Sequence, residues 1–183
     1  MAIKTYKPTS KSQRQHTSID YRKALSGDKP LKSLLKGKKR LGGRNAFGRI
    51  TVRHQGGGHK KRLRDVDFKF NKKDIPATIS TIEYDPYRSA FIGLAVYRDG
   101  EKRYVVLPRN VKVGDTFIVS ATAPVTVANR LPLSALPVGA FVYNVELKPG
   151  AGAVLVRSAG NFAEVVAQDG GYTHLKLPST EVR

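Results

Sequence analysis

The 183-residue sequence has no cysteine and no tryptophan. Without thiols there is no disulfide scaffold, no cysteine-built zinc site and no thiolate-held haem or iron–sulfur cluster. No apolar run approaches the roughly 20 residues that a membrane-spanning helix needs. Acidic side chains are scarce: 14 Asp and Glu stand against 33 Lys and Arg, a formal net charge of +19. Catalytic chemistry is left with little to use. There is no thiol nucleophile, no G-x-S-x-G elbow and no GxxxxGK[ST] phosphate loop. Glu83 and Asp85, two apart at the end of a strand-like run, could face one way as a catalytic pair. Beside Tyr84, Pro86 and Arg88 they read more readily as a turn held by local hydrogen bonds and an ion pair. No enzyme activity, cofactor or metal is expected.

What is present in excess is positive charge, and it is unevenly placed. Residues 1–74 carry 22 Lys and Arg and 5 Asp and Glu, whereas residues 75–183 carry 11 and 9. Only 17 of the first 64 residues are apolar. Such a segment buries too little surface to offset its own ordering entropy, so residues 1–64 are expected to form an extended arm that orders against a polyanion. The start, MAIKTYKPTSKSQRQHTSIDYRK, lacks the apolar core and small-residue cleavage site of a signal peptide. It reads as part of the mature protein.

The remainder is patterned as short strands. ATISTIEY (77–84), AFIGLAVYR (90–98) and KRYVVLP (102–108) are rich in β-branched and aromatic residues. Asp99-Gly100 between the last two favours a tight hairpin. Asp169-Gly170-Gly171 joins FAEVVAQ (162–168) to YTHLKL (172–177), and Val113-Gly114-Asp115 leads into TFIVS. Short strands with frequent turns indicate small antiparallel barrels, because closure removes exposed sheet edges. Pro124, Pro132 and Pro137 mark a connector, which places one barrel at 65–122 and another at 123–183. A single long sandwich is the alternative, and the proline-rich stretch in its middle disfavours it.

The segment GGRNAFGRITVRHQGGGHKKRLR (42–64) carries seven cations: Arg44, Arg49, Arg53, Lys60, Lys61, Arg62 and Arg64. Among them stand Gly56, Gly57 and Gly58. A backbone without Cβ can lie close to a sugar-phosphate chain and donate its N–H groups. Arginine adds a planar fork for phosphate oxygens or base faces. The combination reads as a strap following folded RNA; a flexible linker with incidental charge is the alternative. His54 and His59 flank the glycines, but no carboxylate or thiol lies in the segment to complete a metal shell, so stacking or phosphate bonding is the expected role. Arg88 in EYDPYRSA and Arg157 in VRSAG each precede Ser-Ala in a nearly neutral region. A surface ion pair is the ordinary reading of each, but the parallel context points to one shared anionic partner. Tyr84, Tyr97 and Tyr104 offer a stacking surface only if they are not core residues, and that surface is what a free-standing single-strand binding module would need.

These segments, with DGEKRY (99–104), PVG (137–139) and NVELKPG (144–150), resemble the bacterial-type large-subunit ribosomal protein L-two family over essentially the whole chain. The resemblance implies an all-β protein with an extended basic N-terminal arm, an OB-like barrel and an SH3-like barrel. It also implies a structural role: binding large-subunit rRNA near the peptidyl-transferase region and supporting subunit assembly and association. The implied partners are large-subunit rRNA, neighbouring ribosomal proteins and the small subunit across the interface, with no membrane and no homo-oligomer. The implied location is a ribosome, cytoplasmic or organellar. Family arginines associated with rRNA fall here on Arg88 and Arg157. The sequence departs from the family pattern at Ala151, Ala153 and Val154, where a more glycine-rich or basic loop is usual, and at Tyr143, where histidine is common. It ends at LPSTEVR, where the family continues into a basic, glycine-rich extension; no residue here takes the role of that extension's histidine.

Overall fold

The computed structural model describes residues 3–38, 41–56 and 58–183. Thirteen short strands, one α-helical turn and two 3-10 turns (Lys32–Leu34 and Leu133–Ala135) are found among them. The first barrel is a curled four-stranded antiparallel sheet. Its strands are β5 (Ala77–Glu83), β6 (Ile92–Tyr97), β7 (Lys102–Val106) and β8 (Thr116–Phe117), in the order β7-β6-β5-β8. The expected hairpin at Asp99-Gly100 joins β6 to β7, closed by Gly100 N–H donating to the Tyr97 carbonyl at 2.9 Å.

β6 is buried on both faces. Alternate residues of a strand point to opposite sides, so Ala95 and Tyr97 join Phe70, Ile79, Val105 and Phe117 in the barrel core. Ile92 and Leu94 turn the other way and meet Tyr104. That second face is covered from the arm: Leu31, Leu34 and Val66 pack on it. The near-continuous apolar run IGLAVY follows from this double burial.

Parts of the arm pair with one another and pack on the first barrel. β3 (Leu35–Gly37) pairs with β4 (Arg62–Arg64), and β1 (Ile3–Thr5) pairs with β2 (Thr17–Ile19). A single helical turn, α1 (Tyr21–Ala24), sets the Tyr21 ring against Tyr84 and Phe91. Ser26 exchanges two hydrogen bonds with Ile82. The Leu31 amide donates 2.9 Å to the Tyr104 hydroxyl, which itself donates 2.8 Å to Glu83 Oε2. The barrel offers these side chains an apolar sheet face, and because Leu31, Leu34 and Val66 are only partly buried each contributes a fraction of the about 1.5–3 kcal/mol of full burial.

The second barrel uses β9 (Phe141–Val142), β10 (Val145–Glu146), β11 (Ala153–Leu155), β12 (Ala163–Asp169) and β13 (Tyr172–Lys176). β13-β12-β9 form one sheet and β10-β11 a second ribbon, closing over Val145, Val165 and Leu175. The fold is all-β, an OB-like barrel followed by an SH3-like barrel. The connector is anchored at both ends. Val119 bridges to Arg130 on the first barrel, while Gln168 donates to the Leu133 and Leu136 carbonyls on the second.

Candidate nucleic-acid interface

Arg88 and Arg157 come from different barrels and meet over one ring. Their guanidinium carbons lie 5.2 and 4.6 Å from the centroid of Phe68, so the two carbons are at most about 10 Å apart, the sum of those distances. A cation over an aromatic face is attracted by the ring quadrupole, by about 0.5–1 kcal/mol where solvent reaches it. Asp85, fully buried, fixes Arg88 from behind: its Oδ2 accepts from Arg88 Nε at 2.6 Å, while Oδ1 accepts the Tyr87 amide. The carboxylate thus takes the Nε edge of the guanidinium and leaves its terminal nitrogens for another acceptor. Among the described residues Arg157 Nη1 donates to the Ala153 carbonyl, at 3.4 Å. The two Ser-Ala motifs also touch, Ala159 N–H donating 3.1 Å to Ser89 Oγ.

The backbone under Phe68 completes this joint. Ala153 N–H donates 2.7 Å to the Phe68 carbonyl. Gly152 sits at φ +92°, and a Cβ there would stand 3.1 Å from the Phe68 oxygen. The loop that departs from the family pattern at Ala151, Ala153 and Val154 is therefore the one that seats Phe68. Two residues on, Phe70 repeats the device: Arg130 lies 4.5 Å over its ring and reaches Glu146 Oε1 at 2.7 Å and the Asn144 carbonyl at 3.1 Å. Tyr143, in the histidine position, has its phenol pushed up by burial.

Sequence reasoning singled out Arg88 and Arg157 and missed Phe68, Phe70 and Arg130. The only signal for them was two aromatics spaced to share a strand face at 68 and 70, which reads equally well as core. Of the three tyrosines considered for stacking, Tyr97 and Tyr104 are core residues, leaving Tyr84 at the surface. Glu83 and Asp85 are both consumed by internal bonds, Glu83 by Tyr104 and Thr81 and Asp85 by Tyr87 and Arg88.

The strap lies partly against this site. Lys61 Nζ reaches the Pro86 carbonyl at 3.4 Å, in the turn that carries Arg88, and Lys38 Nζ lies 5.9 Å over the Tyr87 ring. Arg62 and Arg64 are held on β4, Arg64 Nη1 donating to the Arg62 carbonyl. Arg44, Arg49, Arg53, His54, Gly56, Gly58, His59 and Lys60 are exposed and are not drawn into the Phe68 cluster; Gly57 lies outside the described residues. Among the described residues none of the seven strap cations pairs with a carboxylate. Unneutralised cations concentrated in this way favour a polyanionic partner. No three His, Asp or Glu side chains cluster as metal ligands among the described residues, and none of the described helices is long and apolar enough to cross a membrane.

Two family models match the chain. "Ribosomal Proteins L2, RNA binding N-terminal domain" covers residues 31–120, and "Ribosomal Proteins L2, C-terminal domain" covers residues 126–183. The first begins at the residue whose amide bonds to Tyr104. The large ribosomal subunit protein uL2 of Hyphomonas neptunium (strain ATCC 15444) is 53% identical over 183 residues, all of this chain and 66% of the relative's length. Matched along both barrels and across its whole length, the chain belongs to the L2 family of ribosomal proteins.

Proposed function

We propose that the chain is a structural, non-catalytic constituent of the large ribosomal subunit that binds and stabilises large-subunit rRNA. The arm at 1–64 neutralises phosphates, and the units at 65–122 and 123–183 dock through the joint between them. The RNA-binding set is Arg44, Arg49, Arg53, His54, Gly56, Gly57, Gly58, His59, Lys60, Lys61, Arg62, Arg64, Arg88 and Arg157. Its setting is the peptidyl-transferase region, with neighbouring ribosomal proteins and the small subunit as further partners and a role in subunit assembly and association. The bacterial relative supports a cytoplasmic ribosome. The observation that carries the reading is the convergence of Arg88 and Arg157 on Phe68, beside a strap of unneutralised cations.

Each phosphate contact releases counterions, so log affinity falls against log salt with a slope of about −0.7 to −0.9 per contact. Titration of a bacterial large-subunit rRNA transcript across a salt series tests this. A steep slope that becomes shallower in an Arg88→Ala, Arg157→Ala double variant is the expected result. A flat response in the wild-type chain sinks the proposal.

A further inference from the structure

The strap contains a built hairpin whose tip, among the described residues, joins none of the hydrophobic clusters. Arg44 bridges to Ile50, and Asn45 N–H donates 2.9 Å to the Arg49 carbonyl. Asn45 Oδ1 accepts the amides of Phe47 and Arg49, at 3.1 and 3.0 Å, so one side chain holds the loop in shape. At the base, the Gly43 carbonyl accepts from the amides of Thr51 and Val52. Gly43 itself sits at φ +71°, and a Cβ there would stand 2.1 Å from the Val52 oxygen. Only glycine closes the hairpin this tightly.

Phe47 stands at the tip, 89% exposed and the most exposed of the large apolar side chains described. An apolar ring is ordinarily buried, yet Phe47 belongs to none of the hydrophobic clusters of the described residues. Its surroundings define the partner. Residues 29–64 hold thirteen Lys and Arg and no Asp or Glu, and Arg44 and Arg49 flank the tip directly. A partner must therefore be anionic along its backbone and offer a flat apolar face, and a nucleic acid with an accessible base supplies both.

We infer that Phe47 is a base-stacking contact, presented by the Gly43–Val52 hairpin to an unpaired or terminal nucleobase of folded RNA while Arg44 and Arg49 hold the adjoining phosphates. The inference rests on the rRNA-binding reading above and adds to it an aromatic contact that none of the cations supplies. The chain has no tryptophan, so F47W places a single indole at the tip, and indole can be excited apart from the eight tyrosines.

The test titrates the full chain and its F47A, F47L and F47W variants with a bacterial large-subunit rRNA transcript. Stacking predicts that F47A and F47L both lose roughly 5- to 150-fold in affinity. F47W binds as the wild type, and its emission is quenched on saturation. F47L binding like the wild type would overturn the inference, since an aliphatic contact with a protein neighbour would then suffice. So would F47A binding like the wild type, or an F47W emission that RNA leaves unchanged. Failure of the wild-type chain to bind would overturn the rRNA-binding reading together with this one, whereas tight wild-type binding with an indifferent F47A overturns this one alone.

Discussion

Replacing Tyr104 by phenylalanine removes one hydroxyl and keeps the ring that packs on Ile92 and Leu94. That hydroxyl accepts from the Leu31 amide at 2.9 Å and donates to Glu83 Oε2 at 2.8 Å, with Tyr104 and Glu83 both buried. Its loss strands two polar groups. An unpaired buried group costs about 1–3 kcal/mol, and a charged one more. Glu83 keeps only the Thr81 hydroxyl, at 3.1 Å on its other oxygen. The expected destabilisation of Y104F is about 3 kcal/mol, from one neutral amide and one carboxylate oxygen losing their partners. For a chain of this length that lowers Tm by about 6–12 °C. Urea denaturation followed by circular dichroism measures the free energy, and hydrogen exchange at the Leu31 amide reports the tie itself. A loss below about 0.5 kcal/mol, the range of an inert surface change, would refute the reasoning. Unchanged protection of the Leu31 amide would refute it equally.

Further outcomes follow from the same contacts. Phe68→Leu keeps apolar bulk but removes the π face under Arg88 and Arg157; at about 0.5–1 kcal/mol for each cation, rRNA affinity falls roughly 5- to 30-fold, and unchanged binding in a filter assay would dismiss Phe68 as a positioning residue. Arg130→Met leaves Glu146 and the Asn144 carbonyl without their cation, so limited proteolysis should cut the 121–138 connector faster than in the wild type; equal rates would show that Arg130 does not couple the barrels. Burial, reinforced by Glu83 and opposed by the Leu31 amide, pushes the Tyr104 phenol up to about 12. Because the folded value lies above the unfolded value of about 10, this stabilisation is complete below pH 10 and is lost as pH rises toward 12. Denaturant midpoints across that window should fall less steeply in Y104F, and superimposable profiles would contradict the assignment.

The strands that carry the barrels were legible because their signals are local. β-branched runs either side of Asp99-Gly100 become β6 and β7, and those either side of Gly170-Gly171 become β12 and β13. The pairings in the arm were not legible. β1, β2, β3 and β4 hold few apolar residues, and what secures β3 is the far face of β6, remote in sequence. The parallel Arg-Ser-Ala contexts did point to a shared site, and the two arginines do converge. Phe68 between them stayed hidden because its role depends on a loop from the other barrel, whose Ala153 amide donates to the Phe68 carbonyl from 85 residues away in sequence. The hairpin at 43–52 was hidden for another reason. Its sequence is glycine and arginine, which reads as loose strap, and its shape comes from the single side-chain oxygen of Asn45.

The double burial of β6 bears on how this protein can be handled. If the basic segment were trimmed off at residue 64, where the charge begins to thin out, Ile92, Leu94 and Tyr104 would lose the Leu31 and Leu34 cover and face water as an adhesive patch. Cutting at residue 30 instead removes 7 of the 33 Lys and Arg and leaves that cover in place. The shorter trim should yield a soluble, monodisperse fragment and the longer one an aggregating one, although the longer trim discards more of the residues that composition alone would call a tail.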